Sequence, residues 1–408
     1  MTSEPPLLLD VSRLISRLGG GMATGIDRVE AAWLRHLQTR PHLLLCRVPR
    51  GQLVLPPEAG AAILRWTQGD VADLPRAGLR DRLRRTPTLR ARAERALSGH
   101  ALYRAGPDGR GVARAATDRL GPGAAYLNTG HANWDRGLFA ALQPLRRAVL
   151  VHDTIPLDHP EYTRPGQDRL FRDRFAAVAE MADVIATVSQ ASADSVALWR
   201  ERLGTLRRQP VIATPIGTEL AAPTAADVPA GLTGRPFFVT LGTIEPRKNH
   251  ALLLDVWQHL AARHDPEQVP GLLIVGRRGW ENRQTFARLD ALPPGGPVAE
   301  LGGLDDGAVA ALLMQARALL MPSRAEGFGL PLTEAAGRGI PVICAALPSA
   351  NRLLGDYATY LDPDDTDGWA AQVMALAEAP LRRFPPLPVP GWPDHFRNVM
   401  AGLKQASD

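Results

Sequence analysis

The chain has 408 residues, of which 45% are hydrophobic, enough for two packed domains at roughly 100–200 residues each. Charged residues make up 22%, which excludes a disordered chain, and no charge-free apolar run reaches the roughly eighteen residues of a spanning helix. The formal charge of +5 gives no general basicity, and Cys46 and Cys344 have no His or Cys neighbour at zinc spacing. A nucleic-acid binder, a disulfide framework and a cysteine-based metal site are therefore not expected.

In chain order, an apolar run at 7–10 reads as the first strand. It begins so soon, with no basic leader or small-residue cleavage site before it, that a cytoplasmic chain is expected. Gly19, Gly20, Gly21 and Gly25 lead into a helix over about 25–37. Ile26, Val29, Trp33 and Leu37 form its apolar face, and Thr24 and Asp27 are spaced as a capping box. A strand at 43–47 precedes the one strongly basic stretch: Arg76 to Arg119 holds twelve arginines against four acids, a net +8. Leu79, Leu83, Leu89 and Leu97 are interleaved there, and this segment reads either as a contact with an anionic membrane surface or as a solvated helix whose arginines follow the chain's preference for that residue. Strands follow at 148–152 and 183–188, and the aperiodic stretch from Pro215 to Arg235 marks a domain boundary.

Beyond it, the rhythm of strand and helix becomes regular. A strand at 237–241 leads to a helix capped by Asn249, with Leu253, Val256, Trp257 and Leu260 on one face. Strands at 272–275, 318–321 and 341–345 follow. The last two bracket a short helix with Pro331 at its first position and Gly337 and Gly339 closing it. A proline-rich connector, Pro385 to Pro393, precedes a last amphipathic helix carrying Phe396, Val399, Met400 and Leu403. Repeated βα units give an α/β class with parallel sheets. The expected division is 1–215, 216–384, and a linker and helix at 385–408.

In doubly wound sheets ligands bind where strands end and helices begin, so the loops after strands are the places to look for chemistry. One is Pro322-Ser-Arg-Ala-Glu326-Gly-Phe328-Gly329-Leu330-Pro-Leu-Thr-Glu334. Amides at 328–330 suit anionic oxygens, and the two carboxylates, eight positions apart, suit hydroxyls. A helix start with an acid in its first turn reads equally well. A second loop is Gly242-Thr-Ile-Glu-Pro-Arg247-Lys248-Asn249. Two cations beside a positive helix N-terminus need something anionic to offset them, and a diphosphate fits, although solvated surface charges are the plainer reading. Only two of the 47 basic residues are lysines, Lys248 and Lys404, which raises the interest of a lysine inside a motif. His152, at the end of strand 148–152, is a lone candidate. The glycines at 19–21 do not form a dinucleotide fingerprint, because they stand too far from the strand end and no acid closes the next strand. No metal site is supported.

Together these segments resemble family 4 of the retaining glycosyltransferases. Glu326 to Glu334 is similar to that family's two glutamates separated by seven residues. Gly242-Thr-Ile-Glu-Pro-Arg-Lys-Asn249 is similar to its diphosphate-binding segment, most closely in the subgroup of mannosyl- and rhamnosyltransferases of bacterial surface polysaccharides. His152-Asp-Thr-Ile-Pro156 and Thr24-Gly-Ile-Asp-Arg-Val-Glu30 resemble that subgroup's N-terminal domain. Many members have Pro-Glu where this chain reads Ala350-Asn351.

The resemblance implies the GT-B fold: an acceptor-binding and a nucleotide-sugar-binding Rossmann-like domain facing each other, with a C-terminal helix returning to the first. It also implies hexose transfer with retention from a nucleotide diphosphate sugar, such as GDP-mannose, to a glycan or lipid-linked glycan, without a metal or other cofactor. Arg247 and Lys248 would act on the diphosphate, Glu326 on sugar hydroxyls and Glu334 on the ribose. His152 would act near the reacting carbon, while Phe328, Gly329, Leu330, Gly242 and Gly21 would line the donor site. The alternatives are an epimerase or hydrolase of sugar nucleotides on the same fold, and a non-catalytic nucleotide- or glycan-binding scaffold.

Overall fold

The structure is a computed structural model that describes residues 4–21, 23–76, 88–280 and 282–405. The chain divides into two compact units. The first is 1–154, 169–216 and 392–408, and the second is 155–168 and 217–391. Residues 155–168, expected with the N-terminal domain, thus group with the second unit, and so does most of the proline-rich connector.

The first unit is built on a sheet of β1 (Leu7–Asp10), β2 (His42–Val48), β3 (Gly51–Leu55), β4 (Tyr103–Ala105), β5 (Ala125–Asn128), β6 (Arg146–Val151), β7 (Val184–Thr187) and β8 (Val211–Ala213). The order is β4-β3-β2-β1-β5-β6-β7-β8. From β2 to β8 every pairing is parallel, whereas β3 and β4 add an antiparallel edge. The helix Gly25–Leu37 begins as its sequence suggests: the Thr24 backbone N–H and hydroxyl each donate to Asp27 Oδ2 at 2.8 Å, a capping arrangement.

The last helix, Trp392–Gln405, packs in this unit, and its anchor is polar as well as apolar. Trp33 lies 4.7 Å from the Phe396 ring, and its indole N–H donates to His395 Nε2 at 3.1 Å. The other ring nitrogen, Nδ1, faces the Thr214 carbonyl at 3.2 Å. A carbonyl only accepts, so Nδ1 carries the proton and the fully buried imidazole is neutral. No helix among the described residues is long and apolar enough to cross a membrane.

The second unit holds β9 (Phe237–Leu241), β10 (Gly271–Val275), β11 (Val298–Leu301), β12 (Leu319–Met321), β13 (Val342–Ala345) and β14 (Thr359–Leu361), in the order β11-β10-β9-β12-β13-β14. All pairings are parallel. Alternation along the strands supplies both cores. Phe238, Leu272, Ile274, Leu320 and Ile343 pack with Leu253, Trp257 and Trp369 on one face. Val239, Leu241, Leu273, Val275, Met321 and Val342 pack with Leu313, Leu332 and Leu354 on the other. Burial on both faces makes these strands read as apolar runs rather than alternating ones. Their order reverses direction between β9 and β12, the switch point at which such sheets bind ligands.

Two local expectations change. Asn249 precedes the helix His250–Ala261 but makes no side-chain cap. It takes a left-handed backbone, φ 55°, and its amide donates to the Pro363 carbonyl at 2.8 Å. The short helix runs Leu330–Ala336, so Pro331 is its second residue, and Gly329 at φ 100° is the cap.

Burial holds the pKa of His395 down to about 4, against about 6.5 for a free histidine. The unfolded chain therefore takes up a proton below about pH 6.5 that the folded chain refuses until about pH 4, so stability falls across that window as the pH drops. His395→Ala removes both hydrogen bonds and leaves a cavity. It should cost about 2–4 kcal/mol in denaturant unfolding at pH 7 and flatten the slope between pH 6.5 and 4. An unchanged unfolding midpoint would show that this anchor contributes nothing.

Candidate active site

The loops after β9 and β12, neighbours at the switch point, carry the candidate donor-site residues. The loop after β9 first runs alongside the one after β10. The Ile244 N–H donates to the Arg277 carbonyl at 2.9 Å and the Gly279 N–H to the Ile244 carbonyl at 3.0 Å. This close approach needs glycine, since a Cβ on Gly276 would lie 1.9 Å from the Gly242 carbonyl oxygen. Gly242 has φ 134° and its Cβ position faces the end of the Lys248 side chain, so its expected place in the donor loop is structural support for that lysine. The chain then makes one 3-10 turn, Pro246–Lys248, which presents both cations. A backbone hydrogen bond of 2.7 Å, from the Arg324 N–H to the Arg247 carbonyl, ties this turn to the loop after β12.

The side chains converge on Glu326. Arg247 Nη1 lies 2.9 Å from Glu326 Oε2 and donates to the Ala325 carbonyl at 3.0 Å, while Arg247 Nε lies 2.7 Å from Glu245 Oε1. The Lys248 ammonium pairs with the other oxygen of Glu326. Burial raises the pKa of Glu326, but the charges of Arg247 and Lys248 and the hydrogen bond from Lys248 outweigh it and hold the value at about 2. Lys248 is 9% exposed. Its burial, aided by Arg247, lowers its pKa against the opposing pull of Glu326. The anion that the two cations need is thus supplied within the chain by Glu326 and Glu245, and Glu245 is the member of the cluster that the motif reading passed over. The Ser349 hydroxyl donates to the Glu326 carbonyl at 3.2 Å.

Glu334 stands one turn into Leu330–Ala336, half-buried and apart from the charge cluster in sequence. Phe328 is buried beside the left-handed Gly329, and Leu330 is half-buried. Thr333, its neighbour, exchanges a 2.7 Å hydroxyl hydrogen bond with Thr218. Among the described residues no group of three or more His, Cys, Asp or Glu side chains is gathered as for a metal ion.

In the first unit, His152 follows β6 and is buried. Its backbone N–H donates to His131 Nε2 at 2.7 Å, and its own Nε2 faces the Thr129 carbonyl at 2.7 Å. Nε2 therefore carries the proton and Nδ1 the lone pair. Burial, partly opposed by the bond to Thr129, lowers the pKa of His152 to about 4. Burial, then His152 and Arg13, lower that of His131 well below its usual range.

Beside this pair Asp10 accepts from the Ser12 N–H at 2.9 Å, the Tyr126 hydroxyl at 2.9 Å and the Asn133 amide at 2.7 Å. The pairing of His152 with His131, and the Asp10 network, left no motif in the sequence. The φ of 84° at Gly21 belongs to the turn before Gly25–Leu37, where Arg13 Nε meets Asp27 Oδ1 at 2.8 Å. Of the leucines in the basic stretch, Leu97 is buried and Leu89 half-buried on the helix Thr88–Gly99. Leu79 and Leu83, with Arg80, Arg82, Arg84 and Arg85, lie outside the described residues.

Residues 227–383, which hold all the charge-cluster residues, match the family described as Glycosyl transferases group 1. That match lies within the second unit. The chain is 31% identical over 246 residues to the serotype-specific mannosyltransferase WbdA of Escherichia coli, covering 56% of this chain and 30% of WbdA. It is 29% identical over 238 residues to O-antigen chain mannosyltransferase B of Escherichia coli, covering 56% of this chain and 61% of that protein. It therefore spans only part of the length of these relatives. In fold it is similar to Anabaena HepE, solved in complex with UDP-glucose, with a TM-score of 0.56 at 15% identity over 98% of both chains. The chain has the GT-B fold of two Rossmann-like units, as its resemblance to family 4 implies.

The loop arrangement of the second unit depends on the backbone approach at Gly276. Gly276→Ala should push the loop after β9 away from β10, cost about 1–3 kcal/mol of stability and weaken nucleotide binding. Gly123→Ala, at an exposed position with open space around its Cβ, should change neither. Thermal melts with and without UDP or GDP check both, and a Gly276→Ala protein indistinguishable from wild type would count against the close approach.

Proposed function

We propose that this chain is a retaining hexosyltransferase that moves a mannose- or rhamnose-type sugar from a nucleotide diphosphate sugar to a hydroxyl of a glycan or lipid-linked glycan in bacterial polysaccharide synthesis. GDP-mannose is the favoured donor. The observation that carries this reading is the pair Arg247 and Lys248, held at the switch point of a Rossmann-like sheet beside the glycine-flexed loop that follows β12. The names of the two mannosyltransferase relatives support the sugar class, and the UDP-glucose in HepE supports a sugar nucleotide as donor.

In this reaction the bond from the anomeric carbon to the diphosphate oxygen breaks as the acceptor oxygen bonds to the same face of that carbon. The acceptor's proton passes to the departing phosphate oxygen. The chain's part is to stabilise charge gathering on the leaving diphosphate and to fix the geometry, both large terms in catalysis. Arg247 and Lys248, with amides near Gly329, perform the first. Glu326 accepts from the donor sugar's hydroxyls, Glu334 from those of the ribose, and the neutral imidazole of His152 serves the sugar or the acceptor. No step calls for a metal or another cofactor. The chain works in the cytoplasm, and peripheral contact with an anionic leaflet rests on the charge of the basic stretch, because Leu97 lies in the protein interior.

Lys248→Ala and Arg247→Ala should each lower kcat by about a hundredfold or more without unfolding the chain, and wild-type turnover should persist in excess EDTA. Transfer from GDP-mannose to a glycan acceptor measures all three. Full activity in either variant, or loss in EDTA restored by Mg²⁺, would remove the corresponding assignment. Sedimentation with anionic vesicles, falling as salt rises, checks the membrane contact, and binding insensitive to salt would reject charge as its cause.

A further inference from the structure

The cluster around Glu326 has a charge balance that the proposed reaction does not by itself require. Both oxygens of one carboxylate bridge the two cations, Arg247 Nη1 at 2.9 Å from Oε2 and the Lys248 ammonium on Oε1. Glu245 holds Arg247 Nε separately at 2.7 Å. Two cations thus face two carboxylates. His250, next along the chain, adds no charge: it is 1% exposed, and burial, then Lys248, lower its pKa to about 3.

Resting on the nucleotide-sugar reading above, we propose that Glu326 is an internal counter-ion that makes the site favour the intact sugar nucleotide over the bare nucleoside diphosphate. A diphosphate that meets Arg247 and Lys248 competes with Glu326 for them, since Glu326 already holds a donor of each cation and Lys248 is largely out of water. Arg247 is able to release Nη1 without losing its orientation, because Glu245 keeps Nε and the guanidinium has further donors. The Glu326 carbonyl is held by the Ser349 hydroxyl at 3.2 Å, and rotation of the Glu326 side chain is enough to move its carboxylate off the cations.

A displaced carboxylate loses the charges of Arg247 and Lys248 that offset its burial and stands next to the incoming phosphates. A donor that carries its sugar repairs this loss, because sugar hydroxyls donate to the carboxylate. A bare nucleoside diphosphate has hydroxyls only on its ribose, which Glu334 takes in this reading, so Glu326 competes with it for the same cations and repels it once displaced. The product of the reaction is such a nucleotide. Glu326 thereby acts as a specificity-determining residue that favours loading of donor and release of product.

Titration calorimetry on the full chain tests this with inorganic pyrophosphate, UDP, GDP, UDP-glucose and GDP-mannose as probes. Glu326→Gln keeps the shape and removes the charge. It should bind pyrophosphate and the favoured nucleoside diphosphate about tenfold or more tightly than wild type, while its affinity for the sugar nucleotide does not rise in step. The variant alone should melt earlier, since a buried pair has lost one partner, and the nucleoside diphosphate should raise its melting temperature more than it raises that of wild type.

Unchanged or weaker binding of the bare nucleotide to folded Glu326→Gln overturns the counter-ion role. So does a wild-type chain that binds the bare nucleotide at least as tightly as its sugar nucleotide, a comparison that needs no variant. If no nucleotide or sugar nucleotide binds wild type, the glycosyltransferase reading fails and this inference with it.

Discussion

The pairing of Glu326 with Arg247 and Lys248 is the interaction on which the second unit's chemistry depends. Placing two cations at the start of a helix, with one of them largely out of water, is unfavourable unless opposite charge comes close. The fold supplies that charge from a different strand. Because the sheet runs β11-β10-β9-β12-β13-β14, the ends of β9 and β12 are neighbours although some eighty residues separate them in the chain. The tie from the Arg324 N–H to the Arg247 carbonyl at 2.7 Å then sets the two loops in register. A buried ion pair of this kind is weak support for stability. The charges are better understood as kept for exchange with a ligand.

The first unit meets the same topology with a different set of groups. Its strand ends bring together Asp10, Thr129, His131 and His152, with the charge of Arg13 close enough to act on both histidines. Both histidines are held neutral, one donating through Nε2 to Thr129 and the other accepting at Nε2 from the His152 backbone. Burial, then the charge of Asp10, raises the pKa of Glu30 well above its usual range. What this edge offers is fixed donors and acceptors, the two imidazoles and the groups gathered on Asp10.

The strands buried on both faces were legible because a short apolar run closed by glycine or proline is too brief for a helix and too apolar for a surface loop. The run at 237–241 matches β9, and the one at 7–10 matches β1. The capping residues Thr24 and Asp27 were legible because their contact is local, three positions apart on one turn. The antiparallel edge β3–β4 was not: Tyr103–Ala105 has three residues, and its pairing with Gln52, Leu53 and Val54 spans a long insertion. In the candidate site, the loop motifs gave Arg247, Lys248, Glu326 and Glu334. That Glu326 and Glu245 neutralise the cations could not be read, because which carboxylate reaches which cation depends on the strand order. Asn249 misled for a related reason, since its side chain was committed to Pro363 on a distant loop rather than to its own helix.

Taken separately, the two edges show how one strand arrangement hosts two kinds of recognition. The loops of the second unit carry charges that balance within the chain, so on the proposed reading a ligand brings both an anion for Arg247 and Lys248 and hydroxyls for Glu326 to leave every group satisfied. A sugar joined to a diphosphate does both, and neither a free sugar nor a free diphosphate does. The loops of the first unit carry two histidines, His131 and His152, that burial and their hydrogen bonds hold neutral. That edge thus presents one ring nitrogen as a donor to Thr129 and another as an acceptor from the His152 backbone, with no charge on either ring.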